Sequence, residues 1–244
     1  MPFYAIKGTC ARMPFNTFNI FNTSNTFNMV LMMLNLLKLI KTNFELMKKV
    51  ALYFGSFNPI HKGHIALAEW VVEQGLCDEL IFIVSPQNPL KSTSELAPEF
   101  SRYEMCEMAC ASSRYPEKIK VSAVEFVLEK PSYTINTLRY LRENFGSEME
   151  FSLLLGADNI ESFDRWREYE EILRDYRLLV YPREGYSVDK FAEKITFLGN
   201  APLFEHAATD IRTEIAEGRN FTAKVCPAVA NYIIQNKLYL KDEQ

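Results

Sequence analysis

Short apolar runs alternate with amphipathic segments along most of this chain. The first run, residues 50–54, is continuous and rich in β-branched and aromatic side chains, which is typical of a strand that is buried on both faces. A loop with glycine and proline follows it. From Ile65 to Val72 the apolar positions then recur at helical spacing. The pattern therefore predicts a strand, a loop and a helix in this order.

The same alternation continues towards the C-terminus. Further strands are predicted at Glu79–Val84 and at residues 121–127, 151–155, 178–181 and 195–198. Helices are predicted at residues 98–113, around Leu138 and Leu141, at Tyr169–Asp175, at residues 209–217 and at Pro227–Gln235. Alternating strands and helices form right-handed βαβ units, so we predict an α/β fold with a doubly wound parallel sheet. In such a sheet, ligands bind at the carboxyl ends of the strands.

Residues 1–46 do not follow this pattern. Asparagine recurs at every third position from Asn16 to Asn28, and Glu45 is the only acidic residue of the segment. The apolar run at residues 29–40 is shorter than the roughly 20 residues that span a bilayer, and no signal-peptide cleavage site follows it. We expect residues 1–46 to be a disordered or non-native extension. Met47 would then be the natural start of a single domain, residues 47–244.

The composition narrows the class of protein. The 244 residues are 48% hydrophobic and 24% charged, as expected for a globular domain with a substantial core. A net charge of -4 and a pI near 5.6 argue against non-specific binding to nucleic acid. The five cysteines are odd in number and include no C-x-x-C pair, which favours packing roles in a reducing cytoplasm. We therefore expect small-molecule partners, and neither nucleic acid nor a membrane.

The loop after the first strand carries the strongest chemical signal. Residues 55–64 read GSFNPIHKGH, and the following helix begins inside this motif. Unpaired backbone N–H groups at a helix N-terminus attract phosphate. His61 and His64 are three residues apart, so both can face the same side of the first turn and add two donors. This arrangement predicts a site for a nucleoside triphosphate.

The motif resembles the H-x-G-H signature of the nucleotidyltransferases, which are related to class I aminoacyl-tRNA synthetases. From about residue 47 to 239, the chain resembles the bacterial nicotinate-nucleotide adenylyltransferases. The resemblance implies a Rossmann-like nucleotidyltransferase fold and adenylyl transfer from ATP to nicotinate mononucleotide in NAD biosynthesis. The products would be nicotinate adenine dinucleotide and pyrophosphate. It also implies Mg²⁺ held mainly by the ATP phosphates, without a metal site built by the protein.

The resemblance assigns roles on the ATP side of the site. His61 and His64 would contact the phosphates, His64 nearest the reacting α-phosphate, and Arg212 would reach the β- and γ-phosphates. The segment HAATDIR around Arg212 resembles the family's S-S-T-x-I-R, with Ala207 and Ala208 in place of two serines. Thr209 is expected to cap the next helix. The other predicted ATP-binding residues are Gly55, Ser56, Phe57, Lys91, Gly156, Asp158, Thr209 and Ile211.

The resemblance also assigns the nicotinate mononucleotide side. Trp166 would stack on the pyridine ring. Thr134, in the segment PSYT, and the backbone N–H of Arg167 would bind the nicotinate carboxylate, and Arg183 supplies a further cation. We interpret Asp164 as a solvated or capping carboxylate, because the reaction needs no base.

Two other classes of function remain open. Another small-molecule nucleotidyltransferase, such as the phosphopantetheine enzyme, shares the H-x-G-H loop, but would not predict the PSYT and F-x-x-W segments together. An aminoacyl-tRNA synthetase is disfavoured because no K-M-S-K-S-type loop is visible. A non-catalytic nucleotide sensor stays open because Ala207 and Ala208 lack the family's hydroxyls. The sequence does not reveal whether the protein is a homo-oligomer or how strongly it prefers the acid over the amide substrate.

Overall fold

The computed structural model describes residues 33–34, 47–86, 96–204 and 207–240. Within these ranges the strands are β1 (Lys48–Gly55), β2 (Glu79–Val84), β3 (Ile119–Ser122), β4 (Met149–Gly156), β5 (Arg177–Tyr181) and β6 (Ile195–Phe197). The α-helices are α1 (Lys62–Glu73), α2 (Glu99–Ala111), α3 (Val124–Val127), α4 (Thr134–Phe145), α5 (Ala157–Glu161), α6 (Tyr169–Asp175), α7 (Ala208–Ala216) and α8 (Pro227–Gln235). Short 3₁₀ turns occupy Phe163–Arg165, Ala192–Lys194 and Thr222–Lys224.

The strands form one parallel sheet in the order β3-β2-β1-β4-β5-β6. The chain runs outward from β1 to β3 in one direction, and then returns to β4 on the other side of β1. The loops after β1 and β4 therefore leave the sheet at its topological switch point, where α/β proteins bind ligands. The predicted doubly wound parallel sheet is confirmed.

Helices cover both faces of this sheet, which explains the continuous apolar strands. In β1, Ala51 and Tyr53 point into one core, with α1, α2, α7 and α8, whereas Val50 and Leu52 point into the other, with α4, α5 and α6. All four side chains are buried. A strand with two buried faces cannot alternate apolar and polar residues. No helix in the described part of the chain has the length and apolar character needed to cross a membrane.

The C-terminal end of one predicted strand is wrong. The sequence predicts a strand over residues 121–127, but β3 ends at Ser122 and the next residues form the short helix α3. The Ser122 hydroxyl accepts a hydrogen bond from the Val124 N–H at 3.2 Å, and this contact turns the chain away from the sheet. Short apolar runs do not distinguish a strand from a buried helical turn by periodicity.

The cysteines of α2 have the predicted packing role. Cys106 and Cys110 are both buried in the core. Burial raises the pKa of Cys110 to about 12 and raises that of Cys106 well above its usual value. Both thiols therefore stay protonated at neutral pH and act as small apolar side chains.

Candidate active site

The loop after β1 is held by aromatic packing. Phe57 has a φ of 45°, a left-handed conformation that non-glycine residues rarely adopt. Its buried ring meets the rings of Tyr53 and Phe82 edge-on, with centroids 5.6 and 5.1 Å away. A Cβ on Gly55 would lie 2.8 Å from the tip of the Phe57 ring. Glycine at this position therefore allows the Phe57 ring to fold back over the strand.

His61 and His64 come together at the start of α1. Their rings stack with centroids 3.7 Å apart and planes 26° apart. His61 is the N-cap residue, and its backbone N–H donates to Nδ1 of His64 at 3.3 Å. Because Nδ1 acts as the acceptor, neutral His64 carries its proton on Nε2. The neutral form of the His64 side chain can therefore donate a hydrogen bond from Nε2.

Gly63, between the two histidines, is required by close packing. A Cβ there would lie 2.9 Å from Cγ of Phe204 and 3.0 Å from the His61 ring. Contacts this short do not occur with real side chains, so any larger residue would push the His61 ring or Phe204 aside. The glycine of the H-x-G-H motif thus keeps the stacked pair in place.

Arg212 reaches the same loop from α7. Its Nη1 donates to the backbone oxygen of Asn58 at 3.0 Å, across 154 residues of sequence. Asn58 is itself buried, and its side-chain oxygen accepts a hydrogen bond from the Ala97 N–H at 3.0 Å. The fold therefore brings Arg212 and the H-x-G-H loop together, as the sequence predicts.

The expectation that Thr209 caps α7 is wrong. The helix begins one residue earlier, with Ala207 as its N-cap, and Thr209 lies in the first turn. The Ala207 N–H donates to the carboxylate of Asp210 at 2.8 Å. Asp210 is therefore the hydrogen-bond acceptor for the N–H of the N-cap residue. The side chain of Ile211 is fully buried in the core, and its N–H donates to the Ala207 oxygen. Ile211 therefore holds the helix in place.

Gly156, Asp158 and Arg183 lie together at the carboxyl ends of β4 and β5. A Cβ on Gly156 would lie 2.2 Å from a carboxylate oxygen of Asp158 and 3.2 Å from Nε of Arg183. Arg183 pairs with Asp158 at 3.6 Å and donates to the Tyr181 hydroxyl at 3.2 Å. That hydroxyl shares a buried hydrogen bond of 2.9 Å with Tyr53. Arg183 is thus oriented by Tyr181 at the end of β5 and by Asp158 in the first turn of α5.

The predicted pyridine-binding residues lie at the start of α4 and directly after the 3₁₀ turn at Phe163–Arg165. Thr134 is the first residue of α4, and the guanidinium of Arg167 lies 4.9 Å above the ring of the preceding residue, Tyr133. Trp166 is half-buried, with its ring 5.0 Å from that of Phe163. The structure therefore brings Arg167 next to the start of α4, and it supports Trp166 through Phe163.

Asp164 is a solvated carboxylate, as interpreted from the sequence. It is exposed and forms an ion pair with Lys190 at 2.8 Å. The hydrogen bond from Lys190 lowers the pKa of Asp164. Lys91, the remaining predicted site residue, lies outside the described residues.

The sequence prediction missed Arg102, which lies behind the loop after β1. This side chain is 1% exposed. It donates to the backbone oxygens of Ser56, Ser85, Pro86 and Ala97 at 2.7, 2.7, 3.0 and 3.0 Å, respectively. Burial lowers its pKa, but arginine starts from so high a value that it remains charged. The available signal was an arginine on the apolar face of a predicted helix, where charged residues are rare unless they are paired.

The sheet order and the H-x-G-H loop define a nucleotidyltransferase of the Rossmann-like class. The sequence model of the Cytidylyltransferase-like family matches residues 52–214. The chain is 42% identical over 188 residues to a probable nicotinate-nucleotide adenylyltransferase of Bacteroides fragilis, covering 77% of this chain and 92% of that one. It is 39% identical over 196 residues to the corresponding protein of Flavobacterium johnsoniae, covering 79% and 100%. The chain belongs to the nicotinate-nucleotide adenylyltransferase family.

A solved structure shows the same fold. The nicotinic acid mononucleotide adenylyltransferase of Plasmodium falciparum, complexed with NaAD, superposes with a TM-score of 0.68 at 19% identity. The match covers 79% of this chain and 97% of that chain. The predicted family and the predicted Rossmann-like nucleotidyltransferase fold are both confirmed.

Proposed function

We propose that this protein transfers the adenylyl group of ATP to nicotinate mononucleotide, and releases nicotinate adenine dinucleotide and pyrophosphate. The proposal is carried by the stacked side chains of His61 and His64 at the end of the loop after β1. Arg212 is hydrogen-bonded to the same loop through the backbone oxygen of Asn58. This group of donors lies at the switch point of the sheet, where a nucleotide binds in folds of this class. The family supports the choice of substrates.

The reaction requires alignment and charge neutralisation. A phosphate oxygen of nicotinate mononucleotide attacks the α-phosphorus of ATP, and the bond from that phosphorus to the pyrophosphate oxygen breaks. The attacking phosphate is already ionised near neutral pH, so no general base has to remove a proton. Hydrogen-bond donors and cations that surround the α-phosphate then lower the barrier.

The ATP side supplies these donors. His64 donates from Nε2 to the α-phosphate, and the stacked His61 adds a second donor beside the N-terminus of α1. Arg212 extends from the loop towards the β- and γ-phosphates. The backbone of Gly55, Ser56 and Phe57 lines the point where the two substrates meet. Further proposed contacts to ATP come from Lys91, Gly156, Asp158, Thr209 and Ile211.

The pyridine side selects the second substrate. Trp166 stacks on the pyridine ring with the part of its surface that Phe163 leaves uncovered. Thr134 and the backbone N–H of Arg167 bind the nicotinate carboxylate. Donors of this kind favour the charged acid over the uncharged amide. Arg183, oriented by Asp158 and the tyrosine hydroxyls, supplies a cation for the phosphate of nicotinate mononucleotide.

Mg²⁺ fits this site as a companion of the triphosphate. The proposed ligands are phosphate oxygens and water, because Mg²⁺ prefers oxygen ligands and usually keeps several of its waters. Bound there, the ion neutralises charge on the triphosphate. The protein's own residues position the two substrates.

A turnover assay tests this function. Purified protein with Mg²⁺, ATP and nicotinate mononucleotide should release pyrophosphate and form the dinucleotide. Parallel reactions should replace nicotinate mononucleotide with its amide counterpart or with phosphopantetheine. Faster turnover of phosphopantetheine would identify the other nucleotidyltransferase class. Binding of ATP without any turnover would support a nucleotide sensor.

We also propose that residues 47–244 form the catalytic unit. The Flavobacterium johnsoniae relative is covered over its full length by 79% of this chain, and the family match begins at residue 52. A protein that starts at Met47 should retain the turnover of the full chain, and a large loss would refute the boundary. A cytoplasmic location remains a prediction, which fractionation would test, and light scattering would measure the oligomeric state, which the sequence leaves open.

A further inference from the structure

Arg102 joins the two loops that leave β1 and β2. It extends from α2, and its four backbone acceptors are Ser56 after β1, Ser85 and Pro86 after β2, and Ala97 before α2. The guanidinium thus uses nearly all of its five N–H donors on main-chain oxygens. No carboxylate of the described residues forms an ion pair with it. A buried positive charge with only carbonyl partners is costly to maintain, which suggests a role beyond packing.

The bond to Ser56 has a geometric consequence for the reaction site. In a trans peptide, the carbonyl oxygen of one residue and the N–H of the next point in opposite directions. The Ser56–Phe57 peptide is trans. Because Arg102 holds the Ser56 oxygen on its own side, the Phe57 N–H must point away from it. No acceptor for this N–H occurs among the residues that the structure describes.

The surroundings of Phe57 are suited to binding an anion. Its φ of 45° is left-handed, and concave anion-binding turns pair one residue of this conformation with a right-handed one. Its ring meets that of His64 edge-on, with centroids 5.2 Å apart. The Phe57 side chain therefore contacts the imidazole of His64, which we propose as a hydrogen-bond donor to the α-phosphate.

We propose that Arg102 is a positioning residue for adenylyl transfer: by holding the Ser56 carbonyl, it aims the Phe57 N–H at a phosphate oxygen of the reacting nucleotides. This inference rests on the proposed function for the identity of the reaction. Arg102 itself touches neither substrate. It acts through the Ser56–Phe57 peptide, and it couples this peptide to the loop after β2 through Ser85 and Pro86.

The first test compares Arg102→Lys with a matched core variant. Lysine keeps the charge but lacks the planar fork, so it cannot hold carbonyls on two loops at once. Met105→Ala is the control, because Met105 lies on the same helix and is fully buried but contacts neither loop through hydrogen bonds. We expect kcat of Arg102→Lys to fall about 10²-fold, as is typical when a catalytic group is misplaced by about 1 Å, with much smaller changes in both KM values. Met105→Ala should lower the melting temperature and leave kcat close to that of the wild type.

The second test measures the Phe57 amide directly and does not depend on a variant that folds. Wild-type protein labelled with ¹⁵N-phenylalanine is titrated with Mg²⁺ and adenosine 5′-(α,β-methylene)triphosphate, and Phe57→Leu assigns the signal. We expect the Phe57 amide proton to move downfield in the wild type and to move less in Arg102→Lys.

Two results would overturn the proposal. The first is a Phe57 amide that stays unchanged in the wild type at saturating nucleotide. The second is a kcat of folded Arg102→Lys equal to that of Met105→Ala, which would make Arg102 a purely structural residue. Wild-type protein that shifts its Phe57 amide but does not turn over nicotinate mononucleotide would instead refute the proposed function.

Discussion

On the phosphate side of the site, hydrogen bonds from two distant helices hold the loop in place, whereas Trp166 and Arg167 on the pyridine side rest on aromatic rings. The loop after β1 is bound by Arg102 from α2 and by Arg212 from α7. Arg167, by contrast, is exposed and rests on the ring of Tyr133. Trp166 packs on the buried ring of Phe163.

The difference follows from the chemistry of the two substrates. Charge shifts between phosphate oxygens during transfer, and donors stabilise it best when they need no rearrangement at that moment. The pyridine ring does not react, and it needs a face to stack on and donors for one carboxylate. We therefore expect substitutions on the phosphate side to lower kcat, and those on the pyridine side to raise KM.

The largest effect is expected for His64→Asn. The asparagine oxygen can replace Nδ1 as the acceptor for the His61 N–H, so the start of α1 is retained while the Nε2 donor is lost. Loss of one preorganised donor typically lowers the rate about 10²–10³-fold, and the affinity for ATP should change little. Pyrophosphate release and ATP titration measure the two quantities.

Lys62→Ala is a suitable control, because Lys62 lies between the two histidines and is exposed. It should retain most of the turnover. Turnover of His64→Asn close to that of the wild type would contradict the role of the Nε2 donor. An adenylylated protein formed with ATP alone would contradict direct transfer between the substrates.

A smaller effect is expected for Trp166→Ala. Aromatic stacking is worth about 0.5–1.5 kcal/mol beyond area burial, so KM for nicotinate mononucleotide should rise roughly 2- to 12-fold with kcat nearly unchanged. Trp70 is the only other tryptophan of the chain and lies on α1. Trp70→Ala should therefore leave this KM unchanged. A Trp166→Ala variant that loses affinity for ATP instead would place the indole on the other side of the site.

Local patterns along the chain predicted most of the fold and the H-x-G-H loop. The strand, the glycines and the histidines of that loop are adjacent in sequence, so their arrangement depends on nearby residues. The contacts of Arg102 with Ser56 and of Arg212 with Asn58 span 46 and 154 residues, and no local pattern encodes such pairs. The strand predicted at 121–127 was too long at its C-terminal end, where the Ser122 hydroxyl accepts a hydrogen bond from the Val124 N–H and a short helix begins.

The smallest effect is expected for Glu125→Gln. Glu125 is a buried acidic residue near the start of α4, whereas Arg102 is a buried basic residue, and the variant tests how burial affects the ionisation of the carboxyl group. Glu125 is 1% exposed, and one of its oxygens accepts a hydrogen bond from the Thr137 hydroxyl at 2.9 Å. Burial raises the pKa of Glu125, so the folded protein binds this proton more tightly than the unfolded chain. Stability must then fall as the pH rises above about 4.3, the pKa of an unperturbed glutamate.

Glutamine keeps the acceptor for Thr137 and does not ionise, so the melting temperature of Glu125→Gln relative to wild type should increase from pH 4 to pH 8. For a domain of this size, each kcal/mol of stability changes the melting temperature by roughly 2–4 °C. Glu129→Gln removes the same charge from an exposed position of the same segment and should show little dependence on pH. Equal pH dependence of the two variants would mean that Glu125 is as well solvated in the folded protein as in the unfolded chain.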